Sequence, residues 1–280
     1  MIKRLLTMPR AVFSLLVFLI LLAVATLSWI WLPHSPTHAD ASHIWASPSA
    51  VHLLGTDGSG RDILSRLILG SRTTVVVAVL TGVLSLLIGL SLAWLGALGP
   101  RKVREPVTVL VDVLIAFPTL LIAMMLAAVF GSGIPVVVAS LGIGFGVAVA
   151  RVVRGELSQV AREDYVLAAR AVGLSRSKIL WRHILPGASP VVIVQVSLVM
   201  GLAVLAESSL SYLGFGAPPD VPSWGRMLAE TQDAISIFPL TVAWPGLAIT
   251  AVSLAFFVFG DALRVAIDPS TKLRLEAMRT

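Results

Sequence analysis

Six long apolar runs, each cut off by a charged or Gly/Pro-rich stretch, constrain this chain more than any other feature. The first, residues 11–32, is 22 residues long; at ~1.5 Å per residue it reaches roughly 33 Å, enough to cross a hydrocarbon core of about 30 Å. The others are 73–98, 106–130, 134–149, 188–210 and 238–260. With 57% hydrophobic and 13% charged residues and a mean hydropathy of +0.93, the chain has too little polar surface to coat a soluble globule. It reads as an all-α integral membrane protein with six transmembrane helices.

The charges between the runs orient it. With both termini in the cytoplasm, 17 of the 21 Lys and Arg residues fall on the inner side and four, Arg61, Arg66, Arg72 and Arg226, on the outer, the bias that membrane insertion imposes. This scatter of basic residues argues against nucleic acid as a partner and for the lipid bilayer. The chain has no cysteine, which excludes disulfides and thiolate chemistry. Ala39-Asp40-Ala41 imitates a signal cleavage site, but the run before it exceeds the ~7–15 apolar residues of a signal peptide, so it is expected to stay as the first span.

The resulting map is a cytoplasmic N-terminus (1–10), a first span (11–32), an extracytoplasmic segment (33–72) and a core domain (73–280). The core ends in an outer loop (211–237), a sixth span and a cytoplasmic tail (261–280). Asp57-Gly58-Ser59-Gly60 predicts a turn. After it Ile63, Leu64, Leu67 and Ile68 fall on one helical face and Asp62, Ser65 and Arg66 on the other, which predicts an interfacial helix. Gly142, Gly144 and Gly146 in the fourth run suit close helix packing or a flexible gate.

Residues 155–187 form a polar island with eight formal charges. Two short helices fit it: Asp164 caps one reaching Val172, Gly173 supplies the left-handed residue that ends it, and Ser175 caps a second reaching toward Pro186. The charge count puts this elbow in the cytoplasm.

Ionisable groups within the runs are few. Asp112 lies six residues before Pro118 in Phe117-Pro118, where the imino acid removes a backbone donor and kinks the helix. A carboxylate at mid-bilayer costs about 2.5–3.5 kcal/mol. Asp112 therefore either pairs with Arg151 or Arg154 near the inner interface or lines a pathway. Glu207, near the outer end of the fifth run, is read as held by Ser208, Ser209 and Ser211 or as a gating group. The phosphate cradle G-x-x-x-x-G-K-[ST], the G-x-S-x-G turn and the H-E-x-x-H helix do not occur, so the chain is neither an ATPase nor, by these signs, an enzyme. His34 and His38 are four apart, but Pro33 and Pro36 oppose a helix there, and no metal ligation is expected of the outer histidines.

The elbow carries the most specific likeness. Ala168, Ala169, Gly173, Leu185 and Pro186 stand where the permeases of ATP-binding-cassette importers have E-A-A, three residues, Gly, nine residues, I-x-L-P; Leu167 replaces the motif's Glu and His183 its Ile. LGTDGSGRDILSRLILGSR, FPTLL, ESSLSYLGFGAPPDVPSWGRML and GDALRVAIDP occur in matching order. The chain thus resembles the second permease of the dipeptide, oligopeptide and nickel family. The resemblance implies a type I importer permease fold in the bacterial inner membrane, without a cofactor in this chain. It also implies a homologous second permease, two ATPase subunits that bind ATP and Mg, and an extracytoplasmic binding protein. Asp164, Ala168, Ala169, Arg170, Gly173, Arg176, Lys178, Arg182, Leu185 and Pro186 would couple to the ATPase, and Asp112, Phe117, Pro118 and Glu207 would serve pathway or gate. Peptide is the first substrate expected and nickel or a metal chelate the second; a stand-alone secondary transporter is the remote alternative.

Overall fold

A computed structural model of the chain describes Leu5 and residues 7–267; Lys3, Arg4 and the tail beyond residue 267 lie outside the described residues. Among the described residues, five helices are long and apolar enough to cross a membrane. They are α1 (Pro9–Leu27), α2 (Ile63–Leu98), α5 (Ile134–Val160), the helical run Arg176–Tyr212 and α10 (Pro239–Ile267). A bent pair, α3 (Arg101–Leu114) and α4 (Thr119–Phe130), set at 84° to each other, makes a sixth when taken together as one broken span.

The third apolar run is therefore broken where a kinked but continuous helix was expected. Pro118 cannot donate to the carbonyl of Leu114, and its ring disfavours helical backbone at Phe117, so the helix stops and restarts with Pro118 as the N-cap of α4. Neither half alone is long enough to span, at about 21 Å and 18 Å for 14 and 12 residues.

The expected interfacial helix is likewise not separate. Its residues are the first turns of α2, a single 36-residue helix of about 54 Å that projects well beyond the hydrocarbon layer. Asp62 caps it by accepting the Ser65 amide at 2.8 Å. Its polar face, Ser65 and Arg66, is buried, because another polar segment of the protein covers it there.

α2 and α5 pack along most of their length at glycines. A Cβ on Gly142 would meet Leu84 at 2.5 Å and one on Gly146 would meet Ile88 at 2.9 Å, while Gly144 turns the other way, against Thr119 of α4. These glycines serve close approach. α1 lies against α10, with Phe18 between Phe256 and Phe259 and Arg10 3.2 Å from Asp261 at the cytoplasmic ends.

Outside, the loop after the fifth span folds back as a cap. Its helix α9 (Trp224–Thr231) packs so closely that a Cβ on Gly225 would stand 2.0 Å from the Ser208 carbonyl oxygen. The Trp224 indole donates to the Leu67 carbonyl at 3.0 Å. Residues 33–62 close the other side, with Trp45 stacked on Phe238.

Candidate functional site

The cytoplasmic elbow consists of α6 (Asp164–Ala171), a turn, α7 (Arg176–Ile179) and a π-helical turn over Leu180–Ile184 that runs into α8 (Leu185–Tyr212). Glu163 occupies the N-cap and Asp164 the first turn, so α6 begins one residue earlier than with Asp164 as its cap; the Asp164 carboxylate still complements the positive helix end. Gly173 ends α6 at φ +77°, and Ser175 caps α7. The second helix does not stop at Pro186. The Leu185 amide donates to Leu180, five residues back, and this widened turn accommodates the missing Pro186 amide. The helical run from Arg176 to Tyr212 is consequently continuous from elbow to outer surface.

One face of the elbow is fused to the bundle. Val166, Ala169, Ile179 and Ile184 join Ala93, Val149, Val153, Leu157 and Ala188 in a single buried cluster. Ala169, 6% exposed, is thus an internal packing residue, and of the two alanines expected to meet a partner only Ala168 faces outward. The other face is apolar yet open: Val172 is 77% and Trp181 68% exposed, with Leu167 and Tyr165 also out. Arg170, Arg176, Lys178 and Arg182 lie in the same segment, all exposed and none in an ion pair among the described residues. Leu185 is half-buried and Pro186 exposed at the junction with α8.

The remaining singled-out residues lie apart. Asp112 is 3.5 Å from Arg151, an exposed pair at the inner end of the bundle, which agrees with the structural of its two readings. Phe117 and Pro118 are exposed at the break between α3 and α4. Glu207, 2% exposed, accepts hydrogen bonds from Ser211 at 2.6 Å and Ser208 at 3.5 Å. Ser211 also accepts the Ala217 amide at 2.9 Å, so Glu207 and the outer loop are held by the same serine.

An outer ion network escaped the sequence reading. Arg66, 3% exposed, donates through Nη1 to Asp57 at 2.5 Å and through Nη2 to Glu230 at 2.6 Å. Arg61 bridges the same two carboxylates at 2.8 and 2.7 Å, and Arg226 reaches Glu230 at 3.0 Å. Burial by itself would raise the Glu230 pKa, but the charge and hydrogen bond of Arg66, then Arg61 and Arg226, outweigh it and hold the carboxyl below its usual 4.5. A depressed carboxylate pKa adds stability above the unfolded value that is lost as pH falls through the folded one. Protease sensitivity of the outer loop should therefore rise below about pH 4.5, and Glu230→Gln should be sensitive already at neutral pH.

These features define a multi-pass membrane protein with a cytoplasmic elbow packed on its bundle and a closed outer cap. Over residues 85–273 the chain matches the family described as binding-protein-dependent transport system inner membrane component, and it belongs to that family, placing it in the inner membrane. It is 35% identical over 271 residues to the glutathione transport system permease protein GsiD of Pectobacterium atrosepticum, covering 96% of this chain and 90% of that one. It is 31% identical over 262 residues to the dipeptide transport system permease protein DppC of Alkalihalophilus pseudofirmus, covering 94% and 86%. In fold it is similar to a subunit of the inward-facing MetNI methionine ABC transporter. That match has a TM-score of 0.57 and 16% identity over 71% of this chain and 96% of the other. The type I importer permease fold follows.

Proposed function

We propose that this chain forms half of the translocation pathway of an ATP-driven importer of peptides and couples it to separate ATPase subunits. The observation that carries the reading is the elbow, whose inner face is cemented into the bundle while Val172, Trp181 and Leu167 stand exposed in a segment that also exposes four cations. Large apolar side chains exposed among charged ones suit a protein partner. Leu167, where the family motif has Glu, supplies an apolar contact in place of a carboxylate. ATP and Mg act in the partner subunits, whose closure pushes on the elbow; the continuous helix to Tyr212 carries that push toward the outer gate. The exposed apolar flank of α3 and α4, with Phe117 at its break, suits the second permease. The extracytoplasmic binding protein docks on the outer cap and selects substrate. Peptide is favoured because relatives covering nearly the whole chain are named for glutathione and dipeptide transport.

The test is reconstitution with the co-expressed ATPases, second permease and binding protein in proteoliposomes. ATP-dependent accumulation of labelled glutathione or dipeptide, abolished when this chain is omitted, is the expected result. Uptake independent of ATP, or ATPase subunits that do not co-purify, would overturn the reading.

A further inference from the structure

His34, His52 and Asp62 stand at no helical or strand spacing in the sequence, yet one ligand atom from each lies within 4.8 Å of the other two. The fold brings His34 to His52, ring centroids 4.7 Å apart, beside a carboxylate that caps α2 and is buried. The ring of His43 lies 5.5 Å from that of His52.

The surrounding hydrogen bonds have the form that metal ligands require. His34 Nε2 is 2.8 Å from the Val51 carbonyl oxygen. A carbonyl only accepts, so this nitrogen carries the proton and the Nδ1 lone pair is left free. An acceptor that fixes the tautomer in this way, whether carbonyl, carboxylate or water, accompanies most metal-bound histidines. Asp62 uses one oxygen, Oδ2, to accept from the Ser65 amide at 2.8 Å and hydroxyl at 2.7 Å. Its other oxygen, Oδ1, faces His52 Nδ1 at 3.0 Å. That separation is near the edge of a tetrahedron with metal bonds of about 2.0–2.2 Å, roughly 3.3 Å. Arg61 and Arg66, the nearest cations in sequence, are engaged with Asp57 and Glu230 and do not neutralise Asp62.

We propose that His34, His52 and Asp62 form an extracytoplasmic binding site for a divalent transition-metal ion of the Zn²⁺ type. Two imidazole nitrogens and a carboxylate oxygen suit Zn²⁺ and disfavour Mg²⁺ and Ca²⁺, which take oxygen ligands. The ion displaces the proton between His52 and Asp62 and leaves a fourth position for water. Bound there, it ties residues 34 and 52 of the outer segment to the first turn of α2, next to the network that holds the cap. The proposal stands independently of what the importer carries.

The test is Zn²⁺ titration of the full chain in lipid nanodiscs after chelator treatment, read by calorimetry and by competition with a zinc-sensing dye. One Zn²⁺ per chain is expected, with affinity at least ~100-fold weaker in the His34→Gln/His52→Gln double variant and unchanged in His38→Gln. Zn²⁺ should raise the Tm of the wild type and of His38→Gln only. Equal stoichiometry and affinity in the wild type and the double variant would overturn the site. Should the double variant fail to fold, X-ray absorption of the Zn²⁺-loaded wild type decides: imidazole scattering supports the site, and its absence refutes it.

Discussion

Arg66→Ala is expected to destabilise the protein by about 3 kcal/mol, the lower end of the cost of leaving buried charges without their partner. The lower end applies because Arg61 still reaches both Asp57 and Glu230, although from a more exposed position. The Arg66 side chain is 3% exposed and that of Asp57 2%, so neither is screened by water. Arg226, a quarter exposed and bound to Glu230 alone, sets the contrast: its replacement should cost no more than about 1 kcal/mol. Denaturant titration in mixed micelles measures both. A loss below 1 kcal/mol for Arg66→Ala would mean that apolar contacts such as Trp224 against α2 hold the cap and that the ion network is incidental. The expected result instead makes the network the latch between the start of the second span and the outer loop.

The bilayer explains why so much of this fold can be read from sequence. Every span must satisfy its own backbone and face lipid, so the apolar runs mark the helices and the charges mark the sides. Gly173 and Ser175 likewise act through local backbone chemistry that is visible in the residue itself. What could not be read depends on which segments meet. Ser65 and Arg66 lie on the polar face of an amphipathic pattern, and such a face is assigned to water unless another polar segment is known to cover it. Here the cover is Glu230, 164 residues away, and no spacing rule reaches that far. His34 and His52 are hidden for the same reason. At Pro118 the lost amide is evident in the sequence, but the 84° bend is set by how α4 then packs on α5. Ala169 is the subtler case. An alanine is small enough for either a partner interface or an internal contact, and only the burial of Val166 and Ile179 beside it decides for the internal one.

That assignment changes what substitutions in the elbow should do. Ala169→Trp is expected to leave the importer assembled and hydrolysing ATP while reducing uptake at least tenfold. Overpacking a closed core site costs about 1–3 kcal/mol, and a tenfold rate loss corresponds to about 1.4 kcal/mol, so displacement of α6 is large enough on this scale. The eight-residue helix is followed by the Gly173 turn, and a wedge behind it should shift α6 relative to the continuous run from Arg176, separating the surface proposed to receive the push from the helix proposed to carry it. Val172→Asp tests the opposite face. At 77% exposure it contributes little to folding, so the added charge should leave the chain's own stability unchanged and prevent the ATPase subunits from co-purifying. The two variants thus fail differently, one in transmission and one in docking. Normal uptake by Ala169→Trp together with normal assembly of Val172→Asp would remove the elbow from the mechanism. Loss of assembly in Ala169→Trp alone would return that residue to the partner interface.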